Sequence, residues 1–133
     1  MTNMQYSNPY QVYKNQSLQT LTKGEILVKL FEEASKQINF ACLLTEKHDA
    51  VGAYNCVAKA QKIVSTLRNS LDMNYAISIN LADIYLFVND ELGRALVAKD
   101  TETLKRLSGI LDNLKDAFKE ADKISRSQKK SVG

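Results

Sequence analysis

From about residue 22 onward, apolar side chains recur at steps of three and four, the interval that gathers them on one face of an α-helix. Thr22-Lys23-Gly24-Glu25 matches a capping box, in which the Thr22 hydroxyl bonds the Glu25 amide and the Glu25 carboxylate reaches back. Leu21 and Ile26 flank it as a hydrophobic staple, so a first helix is predicted to start here. Leu27, Leu30, Phe31, Ala34, Ile38, Ala41 and Cys42 form its inner face. Asp49 is placed to cap a second helix carrying Ala53, Val57, Ala60, Val64, Leu67 and Leu71. After a Ser70–Asn74 turn, with Asp72 or Asn74 as cap, a third helix carries Ile77, Leu81, Ile84, Val88, Leu92 and Ala95. Asp100 or Thr101 opens a fourth, with Leu104, Leu107, Leu111, Leu114, Phe118 and Ala121. No Asn-Gly or Asp-Gly hairpin turn interrupts the pattern, and the sole proline, Pro9, precedes all of it. Helices of about 20–26 residues are roughly 30–40 Å long. Their short linkers force neighbours to run antiparallel. The predicted fold is all-α, an antiparallel up-down four-helix bundle over residues 22–125, with an N-terminal segment 1–21 and a basic, disordered tail 126–133.

The third helix carries more apolar surface than such a bundle needs. At about 100° per residue, Ile77, Leu81, Ile84, Val88, Leu92 and Ala95 fall within ~40° of one direction, the expected core seam. Tyr75, Ile79, Ala82, Leu86, Gly93 and Val97 fall roughly 140–200° away, on a back that should be polar. Ile110, Ala117 and Ile124 broaden the fourth helix in a milder way, and Cys56 and Ile63 the second. Uncovered apolar rows of this kind mark partner sites. Each Leu or Ile buried by a partner contributes ~1.5–3 kcal/mol. Tyr10 and Tyr13, one helical turn apart, suit reversible cover, because a tyrosine buries its ring while the hydroxyl stays wet.

Composition narrows the function classes. Of 133 residues, 44% are hydrophobic and 25% charged, a globular balance for one domain. The net charge of +3 is concentrated in Lys123, Arg126, Lys129 and Lys130; without them 14 basic residues face 15 acidic ones. A nucleic-acid binder carries its basic stripe on the folded face, so none is expected as partner. No apolar run approaches the ~18 residues of a membrane span, and the N-terminus lacks a signal-peptide pattern, so a cytoplasmic protein is expected, without membrane insertion. Cys42 and Cys56 read as small core residues, and His48 as a surface loop residue without a second metal ligand. No glycine-rich phosphate loop, nucleophile–base set or inward Glu-x-x-His pair occurs. A non-enzymatic protein without cofactor or metal is expected.

The residues resemble one family over most of the chain. Asn8-Pro9-Tyr10-Gln11-Val12-Tyr13-Lys14-Asn15 is similar to the tyrosine-containing start of the flagellar secretion chaperones of the FliS family. Leu21 to Ile26 stands where that family opens its first helix. Ala60 to Val64 with Leu67, then Ser70-Leu71-Asp72, is similar to the end of its second helix. Asn80-Leu81 and Ile84-Tyr85 are similar to its third-helix signature. Leu114 to Ala121 resembles its closing segment, with Phe118 in place of the usual Trp. Lys23 and the Met73-Asn74-Tyr75 turn depart from the pattern. The resemblance implies a helical export chaperone that binds the disordered C-terminal segment of flagellin, prevents premature polymerisation and delivers it to the flagellar type III export apparatus. It further implies that the N-terminal stretch, through Tyr10 and Tyr13, covers the binding surface until flagellin arrives. The expected partner-binding residues are Tyr10, Tyr13, Ile63, Tyr75, Ile79, Ala82, Leu86, Val97 and Ile110. The free protein is expected to be a monomer or weak dimer. A homodimeric regulatory bundle or another helical adaptor using the same stripe is the alternative.

Overall fold

The computed structural model describes residues 23–132, with side chains through 128. Four helices follow in order: α1 (Lys23–Glu46), α2 (Ala50–Asn69), α3 (Ala76–Ala98) and α4 (Thr101–Val132). Packing runs α1 on α2, α2 on α3, α3 on α4 and α4 back on α1, the ring of an up-down bundle, with α3 against α4 the lightest interface. Thr22, the capping half of the expected box, and Tyr10 and Tyr13 lie outside the described residues.

The core is made by the anticipated faces of α1, α2 and α4. Phe31, Ile38, Val57, Val64, Leu67, Leu104, Leu107 and Leu111 are fully buried. Phe31 meets Tyr85 and Phe118 with ring centroids 6.3 and 5.5 Å apart. A buried Ser35–Ser108 hydroxyl bond of 2.8 Å ties α1 to α4 inside this apolar set. Each hydroxyl thereby satisfies the other, which avoids the cost of an unpaired buried polar group.

Two turns share one end of the bundle and one geometry. His48 and Lys99 adopt left-handed backbone (φ 62° and 55°), and the next amide, of Asp49 or Asp100, bonds five residues back to Leu44 or Ala95. These are Schellman-type helix stops built without glycine. The following aspartates then cap the next helix: Asp49 accepts from the Gly52 amide at 2.9 Å and Asp100 from the Thr103 amide at 3.0 Å. The Asp100 carboxyl is held below its usual range by hydrogen bonds from the Thr103 hydroxyl and amide.

Three expectations are corrected. The cap of α3 is neither Asp72 nor Asn74 but Tyr75, whose side chain makes no capping bond. Asp72 is consumed within the turn, where its carboxylate accepts from the Asn74 amide and its carbonyl from the Ser78 hydroxyl. Helix α4 runs to Val132 instead of fraying from residue 126. Arg126 bridges Glu25 of α1 and Asp122 of its own helix at 3.3 and 3.2 Å, which anchors that end. Finally, Ile77 is 65% exposed rather than part of the seam, at the edge of the buried face that Ser78, Leu81 and Tyr85 set.

Candidate functional site

On α3 the buried positions are Ser78, Leu81, Ala82, Tyr85, Val88, Leu92 and Ala95. At ~100° per residue their common direction is rotated by roughly 40° from the anticipated seam, toward α2. Tyr85, only 1% exposed, supplies the reason: its ring is the largest buried side chain and occupies the space beside Phe31. Burial pushes its hydroxyl pKa up to about 12. Ala82 is only 8% exposed and packs on the α2 side of the bundle interior, where Arg68 bonds its carbonyl.

The remaining stripe stays open. Ile79 is 56% exposed, Leu86 46% and Val97 84%, with Tyr75 exposed beside them. The hydrogen bonds of α3 show which side this is. Asn89 donates to the Gln61 carbonyl at 3.3 Å and to the Ser65 hydroxyl at 3.0 Å, and Gln61 donates to the Asn89 carbonyl at 3.1 Å. Arg68 Nε donates to the Ala82 carbonyl at 3.3 Å. On the α3 wheel Asn89 and Ala82 lie between the core and the exposed stripe, so the stripe forms the outer wall of a furrow between α2 and α3. Side chain to backbone clamps form the furrow's floor. The opposite wall belongs to α2, where Tyr54 is exposed on the same flank as Gln61 and Ser65.

At the end nearest the two left-handed turns, Tyr54 and Val97 also border a cleft of about 260 Å³, completed by Ala53, Leu96, Thr45 and His48. The furrow thus ends in an apolar recess large enough for one or two side chains. Tyr54 was not singled out in the sequence. Its signal is positional: it stands two helical turns before Gln61, on the flank of α2 rather than on its inner face.

Ile63 and Ile110 sit elsewhere. Both are partly buried against the core cluster. Ile63 lies on the flank of α2 turned away from Gln61 and Ser65, and Ile110 on α4, away from the furrow altogether. Both therefore lie at the margin of the core, outside the α2–α3 furrow. Cys42 is buried, its Sγ 3.8 Å from the Thr101 carbonyl, and burial pushes its thiol pKa up, the opposite of what a reactive cysteine needs. His48 is exposed on its turn. The furrow offers apolar rows flanked by hydrogen-bonding groups.

The sequence from residue 6 to 125 matches the family model described as Flagellar protein FliS. The chain belongs to the FliS family. It is 28% identical over 130 residues, 98% of each chain, to the flagellar secretion chaperone FliS of Bacillus subtilis (strain 168). It is 25% identical over 113 residues, 83% of this chain and 84% of the other, to the flagellar secretion chaperone FliS of Salmonella typhimurium (strain LT2). FliS membership and the shared name of these relatives support a chaperone role in flagellar secretion. Among the described residues of this FliS chain, no helix is long and apolar enough to cross a membrane.

Proposed function

We propose that the protein is a cytoplasmic, non-enzymatic export chaperone that holds the C-terminal segment of flagellin in the α2–α3 furrow. The observation that carries this reading is the exposed apolar row on α3, Ile79, Leu86 and Val97, beside the exposed Tyr54 of α2. A row at steps of seven and eleven matches the i, i+3, i+4, i+7 contacts of an amphipathic helix laid lengthwise. A segment that is disordered when free loses chain entropy on binding, and burial of its apolar face must offset that loss. Covering that face also removes the surface through which flagellin would polymerise too early. The loaded complex is then delivered to the flagellar type III export apparatus. Tyr10 and Tyr13 occupy the furrow until the client displaces them. The FliS family match and the names of the relatives support the secretion role.

The test is binding of a flagellin C-terminal peptide to Leu86→Asp and Ile79→Asp proteins that retain their helical circular dichroism. Both positions are open, so the fold tolerates the change. A carboxylate brought into an apolar contact loses its hydration, and affinity is expected to drop on the order of a hundredfold. Unchanged affinity in both variants removes the assignment.

A further inference from the structure

The two walls of the furrow differ in charge. Over its whole length α2 carries Lys59, Lys62 and Arg68 and no acidic residue. At ~100° per residue, Lys62 falls just outside the flank that holds Tyr54 and Ser65, and Arg68 reaches across the floor to α3. On α3 the residues just outside the Ile79, Leu86 and Val97 row are Asp83 and Asp90; Arg94, next on the same side, is paired with Glu91 at 3.3 Å. None of Lys62, Arg68, Asp83 and Asp90 joins an ion pair among the described residues. One rim is therefore basic and the other acidic, and neither is neutralised by an ion pair, although Arg68 is held on the Ala82 carbonyl.

Building on the docking role proposed above, we infer that these rims select the direction in which a partner helix lies in the furrow. The occupant they fit is an amphipathic helix with acidic residues along one edge of its apolar stripe and basic residues along the other. Turning such a helix end for end exchanges its edges between α2 and α3, so only one direction places acid on Lys62 and Arg68 and base on Asp83 and Asp90. The hand follows from the wheel. Viewed from the N-terminus of α3, residue angles increase clockwise, and Asn89, which bonds α2, lies clockwise of the core direction. A helix parallel to α3 in the furrow consequently turns the edge clockwise of its apolar stripe toward α2. With acid on that edge it runs parallel to α3; with base there it runs antiparallel. Residues 1–22 contain Lys14 and no acidic residue.

Two 20-residue designed helices test the direction. Both carry a leucine stripe; one has Glu on the clockwise edge and Lys on the other, and its twin has the two exchanged. Each bears a photo-cross-linker at its N-terminus, and mass spectrometry of the full-length protein locates the adduct. The first peptide is expected to label the Tyr75 end of the furrow and its twin the Tyr54 and Val97 end. The excess should be roughly tenfold, as a handful of exposed charge pairs acting together gives. The excess should disappear in 1 M salt, where the screening length falls to ~3 Å. It should invert in the protein carrying Lys62→Glu, Arg68→Glu, Asp83→Lys and Asp90→Lys. Labelling at one end by both peptides, or at both ends equally, overturns the directional inference and leaves docking intact. Labelling of neither α2 nor α3 overturns docking and direction together, as does a doubled mass in light scattering with the furrow closed by a second copy.

Discussion

Gly93 offers a way to separate folding from binding at a single position. It lies within α3, among the outward positions that face the furrow, and a Cβ added there would meet only the Gln61 Nε2 at 3.4 Å. That is an ordinary contact, and the amide it touches ends a flexible side chain. Glycine within a helix costs about 0.8–1.0 kcal/mol relative to alanine, so Gly93→Ala is expected to stabilise the protein by nearly this amount. Gly109 of α4, with nothing within 4 Å of its added Cβ, gives the reference value in the same fold. Gly93→Leu keeps most of the propensity gain, about 0.7 kcal/mol or more, because leucine ranks close to alanine. Its side chain, however, projects into the space that a client helix would occupy between Tyr54 and Leu86. Urea denaturation followed by circular dichroism reads the first effect, and fluorescence anisotropy with a labelled flagellin C-terminal peptide reads the second. The expected result is a protein that is more stable and binds at least tenfold more weakly. Loss of stability in Gly93→Leu, or binding equal to wild type, refutes the assignment of that space.

Three further outcomes follow from the geometry. Tyr85 ionises near 10 when unfolded and near 12 when buried, so its contribution is constant below pH 10 and is lost as pH rises from 10 to 12. By about 1.36 kcal/mol per unit, the loss amounts to roughly 2–3 kcal/mol, and Tyr85→Phe measured in parallel should lack that part of the decline. Lys99 holds left-handed backbone at a helix stop. Lys99→Gly should therefore gain about 0.5–1 kcal/mol in a denaturation curve, and a loss would contradict the cap geometry. Asp49→Ala removes the carboxylate that accepts from Gly52 and should cost about 1 kcal/mol, with no effect on peptide affinity at the far end of the furrow.

The bundle was legible because three of its helices show one apolar stripe and short capped turns, and periodicity reads such stripes directly. Asp49 and Asp100 cap their helices because each directly precedes the first helical residue, so its carboxylate reaches the amide three residues on; Asp72 stands too far ahead of α3 and is used within the turn. Helix α3 was harder. Its two stripes leave the roll of the helix undetermined by pattern alone, and one aromatic side chain decided it. Tyr85 is amphipathic and reads equally well as surface, yet its ring turned the helix toward α2. Ala82 went inside with it, whereas Ile79, Leu86 and Val97 stayed out. Ile63 and Ile110 lie on the shoulders of their stripes, where a residue is open or covered according to how closely the next helix approaches. The second wall, with Tyr54, was invisible in one dimension, since it required knowing that α2 and α3 are clamped through Asn89, Gln61 and Arg68. The pairing of Arg126 with Glu25 across the bundle was likewise invisible in one dimension.

Methyl-resolved nuclear magnetic resonance of the protein titrated with the flagellin C-terminal segment tests the central claim most directly. Exposed methyl groups report from several faces at once. Ile79, Leu86 and Val97 should show intermolecular contacts and large shifts, whereas Leu43 on α1 and Ile124 on α4 should lag far behind. Contacts concentrated at Leu43 or Ile124, with Ile79, Leu86 and Val97 unmoved, would contradict the account.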